Sequence, residues 1–192
     1  KMALFGSFAF GLSTYLLIIL QVGHNTKAMS IAYMPLALAG LFLLIDKKWI
    51  WGFVISVIGL GLNIRANHYQ MSYYLLILLI IIAFSFIISS IKKRNIKPTF
   101  ISLSVFFISG LIALGLNATP ILATSEYSKF STRNGSELTM NFDGSPKEKS
   151  NGLDYEYITQ YSYGIFESLS LIVPRINGGG SRENLGKDSG LY

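Results

Sequence analysis

Five long apolar runs, each followed by a polar segment, organise the first 119 residues of the chain. They cover about 2–22, 28–46, 49–65, 69–91 and 99–119. Crossing roughly 30 Å of hydrocarbon at about 1.5 Å per residue takes about 20 helical residues, so each run is predicted to be a transmembrane helix. The third run is the shortest, and Trp49, Trp51 and Arg65 are placed to hold its ends at the interfaces. The joints between the runs read GHNTK (23–27), DKK (46–48), RANH (65–68) and KKRNIKP (92–98). Gly52, Ser56, Gly59 and Gly61 give the third run a small-residue face that admits a neighbouring helix closely, and Gly6, Ser7, Gly11 and Ser13 do the same in the first.

From Pro120 the pattern changes. ATSEYSKFSTRNGSELT sets Glu126, Arg133 and Glu137 among hydroxyls, and NFDGSPKEKSNG reads as an exposed, turn-rich loop. In LDYEYITQYSYGIFESLSLIVP, the residues Tyr155, Tyr157, Tyr161, Tyr163 and Phe166 form a dense aromatic stretch, read as interfacial ahead of sugar stacking. GIFESLSLIV (164–173) is too short to span and is expected to be an interfacial or re-entrant helix ended by Pro174. INGGG lacks the Lys-Ser/Thr pair of a phosphate loop. NAT (117–119) and NGS (134–136) match the glycosylation pattern, and a match of three residues carries no weight. The expected fold is mainly α. A transmembrane bundle over 1–119 precedes a polar extracytoplasmic segment over 120–192 with mixed helix and short strands.

Composition sharpens this picture. The 192 residues are 51% hydrophobic and 14% charged, with a mean hydropathy of +0.47, too apolar for an ordinary soluble domain of this size. Asp46 is the single carboxylate before Glu126. The net charge of +6 does not point to nucleic acid, because the cations sit in short clusters between apolar runs. The absence of cysteine excludes disulfides and thiolate metal sites. Lys1 leads straight into the first run, and NGGGSRENLGKDSGLY closes no element, as expected for an internal piece of a larger membrane protein.

Along an alternating five-span path, Lys47, Lys48, Lys92, Lys93, Arg94 and Lys97 fall on one side, with only Asp46 against them. The positive-inside rule places 46–48 and 92–98 in the cytoplasm. GHNTK, RANHYQ and the tail then face outward. His24 and Lys27 from one outer loop, with Arg65 and His68 from the other, suit a lipid phosphate whose tail stays in the bilayer. Arg offers a planar fork to phosphate oxygens, Lys a point charge, and His and Asn further donors. The competing reading is that these side chains only snorkel to the interface as anchors. His24 and His68 lack a third ligand, so no metal site is expected from them. Sugar transfer generally wants a base, often helped by a carboxylate-bound cation. The spans supply neither, so any base or divalent-cation ligand lies in the tail or outside this chain. Glu126, nearest a span end, is the candidate for a supporting role.

The blocks FAFGLSTYLLIILQVGHNTKAMSIAYMPLALAG, ANHYQMSYYLL, STRNGSELT and GLDYEYITQYSYGIFESLSLIVPRINGG together resemble, in order, the bacterial YfhO-like membrane proteins. That resemblance implies a GT-C-type glycosyltransferase architecture in the bacterial cytoplasmic membrane. Its active site would open outward, and a sugar would pass from a polyprenyl-phosphate donor to a glycan, a teichoic-type polymer or a protein. The acidic residues such folds carry on an early external loop would precede Lys1, so no catalytic residue transfers to this sequence. Two other functions compete with it. A transporter or flippase of lipid-linked glycans would want the same outer cations, with polar groups near mid-membrane and broken or repeated helices. A non-catalytic membrane scaffold would need none of these residues.

Overall fold

The computed structural model describes residues 1–128, 155, 159, 162, 164–171 and 173, and every regular element among them is helical. The order is α1 (Met2–Gly11), α2 (Thr14–Gln21), α3 (Asn25–Ile45), α4 (Trp49–Arg65), α5 (Tyr69–Lys92), α6 (Lys97–Leu116) and α7 (Ala118–Ser128), with a 3-10 turn at Glu167–Leu171. Four stretches are long and apolar enough to cross a membrane: Met2–Gln21, which contains α1 and α2, then α3, α5 and α6. The chain is a multi-pass helical membrane protein. Helix α4 has 17 residues, roughly 26 Å at about 1.5 Å per residue, and so falls a little short of a full crossing.

Several predicted boundaries change. The first run is two helices, because Ser13 takes an extended conformation (φ −60°, ψ 136°) as the N-cap of α2. The second begins at Asn25, which puts Lys27 in the first turn of α3. Helix persists past Pro120, where a polar tail was expected, as α7. Pro120 sits in the first turn, where a missing N–H leaves no intrahelical bond unmade. The helix expected over 164–173 is described only as the five-residue turn Glu167–Leu171. Tyr157, Tyr161, Tyr163, Pro174 and the expected short strands lie outside the described residues. The chain divides into two compact units, Lys1–Ser125 and Glu126–Tyr192, and the bundle belongs to the first.

Three of the tight reversals use the same backbone device. Gly23, Lys47 and Arg94 have φ of 86°, 60° and 50°. The next residue in each case donates back to the end of the preceding helix: His24 to Ile19 (2.9 Å), Lys48 to Leu43 (2.9 Å) and Asn95 to Ser90 (3.0 Å). These are Schellman ends. Lys47→Gly is expected to stabilise the fold by about 1 kcal/mol, the scale of the penalty a side chain pays in left-handed backbone. Thermal unfolding in detergent reads this out.

The centre of the bundle is a seam between α3 and α4. A Cβ built on Gly59 would lie 2.6 Å from the Ala37 nitrogen, and one on Gly52 would lie 2.8 Å from the Leu44 nitrogen. Gly40 faces Ser56 so closely that a Cβ there would meet both the Ser56 hydroxyl and its backbone. The two backbones touch because these positions carry almost no side chain, as expected for association in lipid. Gly52, Ser56, Gly59 and Asn63 are the buried positions of α4, recurring at the three- and four-residue spacing of one helix face. Gly61 is off this face and turned to α6, where its carbonyl accepts from the Asn117 amide at 3.1 Å. Gly6 and Gly11 of α1 meet nothing within 4 Å, so the small-residue face predicted there packs against no described residue. Ser56 Oγ has no hydrogen-bond partner among the described residues. Ser56→Ala is therefore expected to leave stability unchanged or to raise it by up to about 1 kcal/mol.

Two sets of bonds define the ends of the bundle. At one end Ser102 Oγ donates to the Leu44 carbonyl (2.8 Å) and pairs α6 with α3, while Ser90 and Thr99 share a hydrogen bond. The basic joints 46–48 and 92–98 therefore lie at the same end. At the opposite end Asn63 Nδ2 donates to the Ser30 carbonyl (2.8 Å) and to Ser30 Oγ (3.0 Å). That gathers the start of α3, the end of α4 and the start of α5.

Candidate functional site

The end of the bundle away from the basic joints carries the residues singled out for phosphate chemistry. Arg65 closes α4 and is exposed. His68 is the N-cap residue of α5 and is half-buried. Between them Asn67 adopts φ 56°, a left-handed conformation that Asn tolerates better than most residues, and this turns the chain sharply from α4 into α5. Gln70 donates to the Tyr74 hydroxyl at 2.8 Å. Arg65, Asn67 and Gln70 all face outward.

Lys27 and His24 lie on the α2–α3 side of the same end. His24 is exposed. Lys27 has its Nζ 5.4 Å from the centroid of the Tyr15 ring, inside the range of an attractive cation–π contact worth about 0.5–1 kcal/mol at an exposed site. The structure thus brings all four side chains to one end. Among the described residues, however, no hydrogen bond or ion pair joins them, and Lys27 is partly engaged within the protein. Glu126 lies on α7 and is exposed. No group of three or more His, Asp or Glu residues able to hold a metal occurs among the described residues.

An apolar cleft of about 640 Å³ lies between α4, α5 and α6 with Leu41 of α3 in its wall; Arg65 and His68 do not line it, though their chain neighbours Ile64 and Tyr69 do. It arises because α5 stands off from α4 and α6 over much of its length. At the cation-bearing end its walls include Asn63, Ile64, Tyr69, Ser72 and Leu114; deeper in come Leu79, Ala83, Leu103 and Phe106. Its polar rim is short. Asn63 is already committed to Ser30, and Ser72 Oγ is buried without a hydrogen-bond partner among the described residues, as is Nδ1 of His68, which lies outside the lining. Ser72 follows His68 by one helical turn, so the two stack on one face of α5.

Three features of this end were not anticipated. Asn63 stands in an apolar run with no motif around it, and its spacing from Gly52, Ser56 and Gly59 places it on their face. Asn117, noticed only inside the NAT pattern, is 5% exposed, with its amide on the Gly61 and Ala113 carbonyls. The cleft has no sequence signature, since any standing-off helix with Leu and Ile faces can make one.

Comparison with family models, curated proteins and solved structures returns no match to this chain. The YfhO-like resemblance rests on the sequence blocks quoted above.

Proposed function

We propose that the chain is part of a membrane glycosyltransferase that takes a sugar from a polyprenyl-phosphate donor at the extracytoplasmic face. The observation that carries this reading is the charge at one end of the bundle. Arg65, Lys27, His24 and His68 gather there, and within residues 1–125 the single carboxylate, Asp46, lies at the other end. A lipid phosphate is the anion a membrane delivers at that depth. As the bond from sugar to phosphate breaks, negative charge grows on the phosphate oxygens, and a fixed guanidinium there lowers the barrier. The acceptor hydroxyl forms the new bond and gives its proton to a base. Glu126, the first carboxylate after the spans, is the residue to test in that role.

Positive-inside bias supports the outward orientation. It can be checked cleanly, because the chain has no cysteine of its own. Asn67→Cys should be labelled by an impermeant maleimide on intact cells, and Arg94→Cys only after permeabilisation. The reverse pattern would place the cations in the cytoplasm and remove the donor site from the outer face. Function itself is tested by sugar transfer from polyprenyl-phosphate glucose, mannose and N-acetylglucosamine in membranes carrying the full chain. Arg65→Ala should lower transfer by about one to two orders of magnitude, the effect of losing a charge-assisted hydrogen bond of about 1.5–3 kcal/mol. No transfer from any donor, or transfer unaffected by Arg65→Ala, would contradict the proposal.

A further inference from the structure

The end of the bundle opposite Arg65 carries more charge and pairs none of it internally. Lys47, Lys48, Lys92, Lys93, Arg94 and Lys97 are all exposed there, and Asp46 is the one acid in the two joints that hold them. Among the described residues no hydrogen bond or ion pair engages any of the six cations. Such a patch collects anions, and its surroundings say which kind. Trp49 and Trp51 open α4 at the same end, where indole rings settle at the level of lipid headgroups. Ile96, between Arg94 and Lys97, is exposed as well, so the patch is not a purely aqueous surface.

Next to the joint 92–98 lies a shallow apolar groove of about 450 Å³, lined by Ile87 of α5 and by Phe100, Leu103, Ser104, Phe107 and Ile108 of α6. None of the cations lines it. Lys97 precedes Phe100 and Ser104 at the three- and seven-residue spacing of one helix face, which places it on the groove side of α6, one turn nearer the end. Ser102, whose hydroxyl bonds the Leu44 carbonyl of α3, leaves α6 on a different side from Ser104. No residue of α3, α4 or the joint 46–48 lines the groove. The wall from Phe100 to Ile108 is roughly 12 Å long at about 1.5 Å per residue. One leaflet offers about 15 Å of hydrocarbon, half of about 30 Å, so the groove suits an ordinary acyl chain whose phosphate stays at headgroup level.

We infer that the α5–α6 reversal binds an anionic phospholipid of the adjacent leaflet, with its phosphate at Arg94 and Lys97 and one acyl chain along Phe100, Ser104 and Phe107. The cations select the headgroup and the groove holds the chain. A soluble phosphate would meet the cations alone. A zwitterionic phospholipid would fill the groove but bring a choline cation to the basic joint. The cytoplasmic placement expected for this joint sets it in a leaflet of negative surface potential. The site lies at the other end of the bundle from the proposed donor phosphate and does not depend on sugar transfer.

Purified full-length protein in mild detergent is titrated with phosphatidylglycerol, with phosphatidylcholine of the same chains, and with glycerol phosphate, following the unfolding midpoint to obtain apparent affinities. The wild type is expected to prefer phosphatidylglycerol by about tenfold or more, on the scale of two basic residues facing an anionic headgroup. Glycerol phosphate should give no shift at matched concentration. Arg94→Gln with Lys97→Gln should bring the two lipids to within about threefold of each other. Lys47→Gln with Lys48→Gln removes the same charge away from the groove and should leave most of the preference. Ser104→Phe fills the groove; it should weaken both lipids several-fold and keep their ratio, with the lipid-free midpoint unchanged. The charge pairs sit at exposed positions and keep the test decisive should phenylalanine disturb α6.

Equal affinity for the two phospholipids in the wild type, or equal losses from the two charge pairs, would make the patch a diffuse orientation signal and overturn the assignment. A shift from glycerol phosphate as large as that from phosphatidylglycerol would make it a soluble-anion site. Wild-type affinities in a folded Ser104→Phe protein would leave the groove without a chain. Either result overturns it too.

Discussion

Gly59→Leu is expected to lower stability by about 3 kcal/mol, at the upper end of the usual cost of overpacking. A Cβ at this position would stand 2.6 Å from the Ala37 nitrogen and 2.9 Å from its Cα. Both are backbone atoms, which cannot rotate away as a side chain can. Relief would require α3 and α4 to separate, which would strain the Asn63–Ser30 bonds one turn further along. Gly115→Leu is the control, because nothing lies within 4 Å of a Cβ there. On helix propensity alone, replacing glycine by leucine should favour α6 by up to about 1 kcal/mol. Opposite signs for the two leucines, read from unfolding midpoints in one detergent, are the expected result. Equal effects would mean that the α3–α4 contact does not hold the bundle together.

Arg65→Ala is expected to weaken undecaprenyl phosphate binding by about 10- to 100-fold, since a charge-assisted hydrogen bond contributes about 1.5–3 kcal/mol and each 1.4 kcal/mol is about tenfold. Arg65→Lys should recover only part of this, because it keeps the charge and loses the planar fork. Lys27→Ala should do less. Its ammonium already rests over Tyr15, and Lys27 is not among the residues that line the cleft. The order Arg65→Ala, Arg65→Lys, Lys27→Ala, from most to least harmful, separates a phosphate contact from general loss of positive charge. A ranking in which all three variants are equal would favour simple interfacial anchoring.

The apolar runs were legible because hydrocarbon imposes one requirement, length without charge, and Met2–Gln21, Asn25–Ile45, Tyr69–Lys92 and Lys97–Leu116 meet it. The small face of α4 was legible for a similar reason, since glycine and serine repeating at helical spacing have few uses in lipid besides close packing. Gly61 was misplaced on that face because a glycine count ignores the angle at which each residue leaves the helix. The break at Ser13 left only weak signals, as serine is common inside membrane helices as well as at their caps. Helix α7 was hidden by polar composition and by Pro120, which ends a helix in its interior and suits the first turn of a new one.

At the candidate site, residue types and their shared end were readable, because alternating helices return the joints at 23–27 and 65–68 to the same end. The contact that ties those helices there, Asn63 to Ser30, was not, since nothing in the spacing of either residue announces it. That His68 Nδ1 and Ser72 Oγ are buried without a hydrogen-bond partner among the described residues depends on packing that residue order does not reveal. Chemistry-bearing residues can therefore be named from sequence in a membrane protein, while the cleft near them depends on how far one helix leans from the rest.

Native mass spectrometry of the full-length protein, released from mild detergent, tests the donor-site claim most directly. Wild-type protein should retain a polyprenyl-phosphate-containing lipid, and the retained fraction should fall sharply in Arg65→Ala and less in Lys27→Ala, with unfolding midpoints unchanged. No such lipid on the wild type, or equal retention in all three proteins, would contradict a donor site at this end of the bundle and return Arg65 and Lys27 to the role of interfacial anchors.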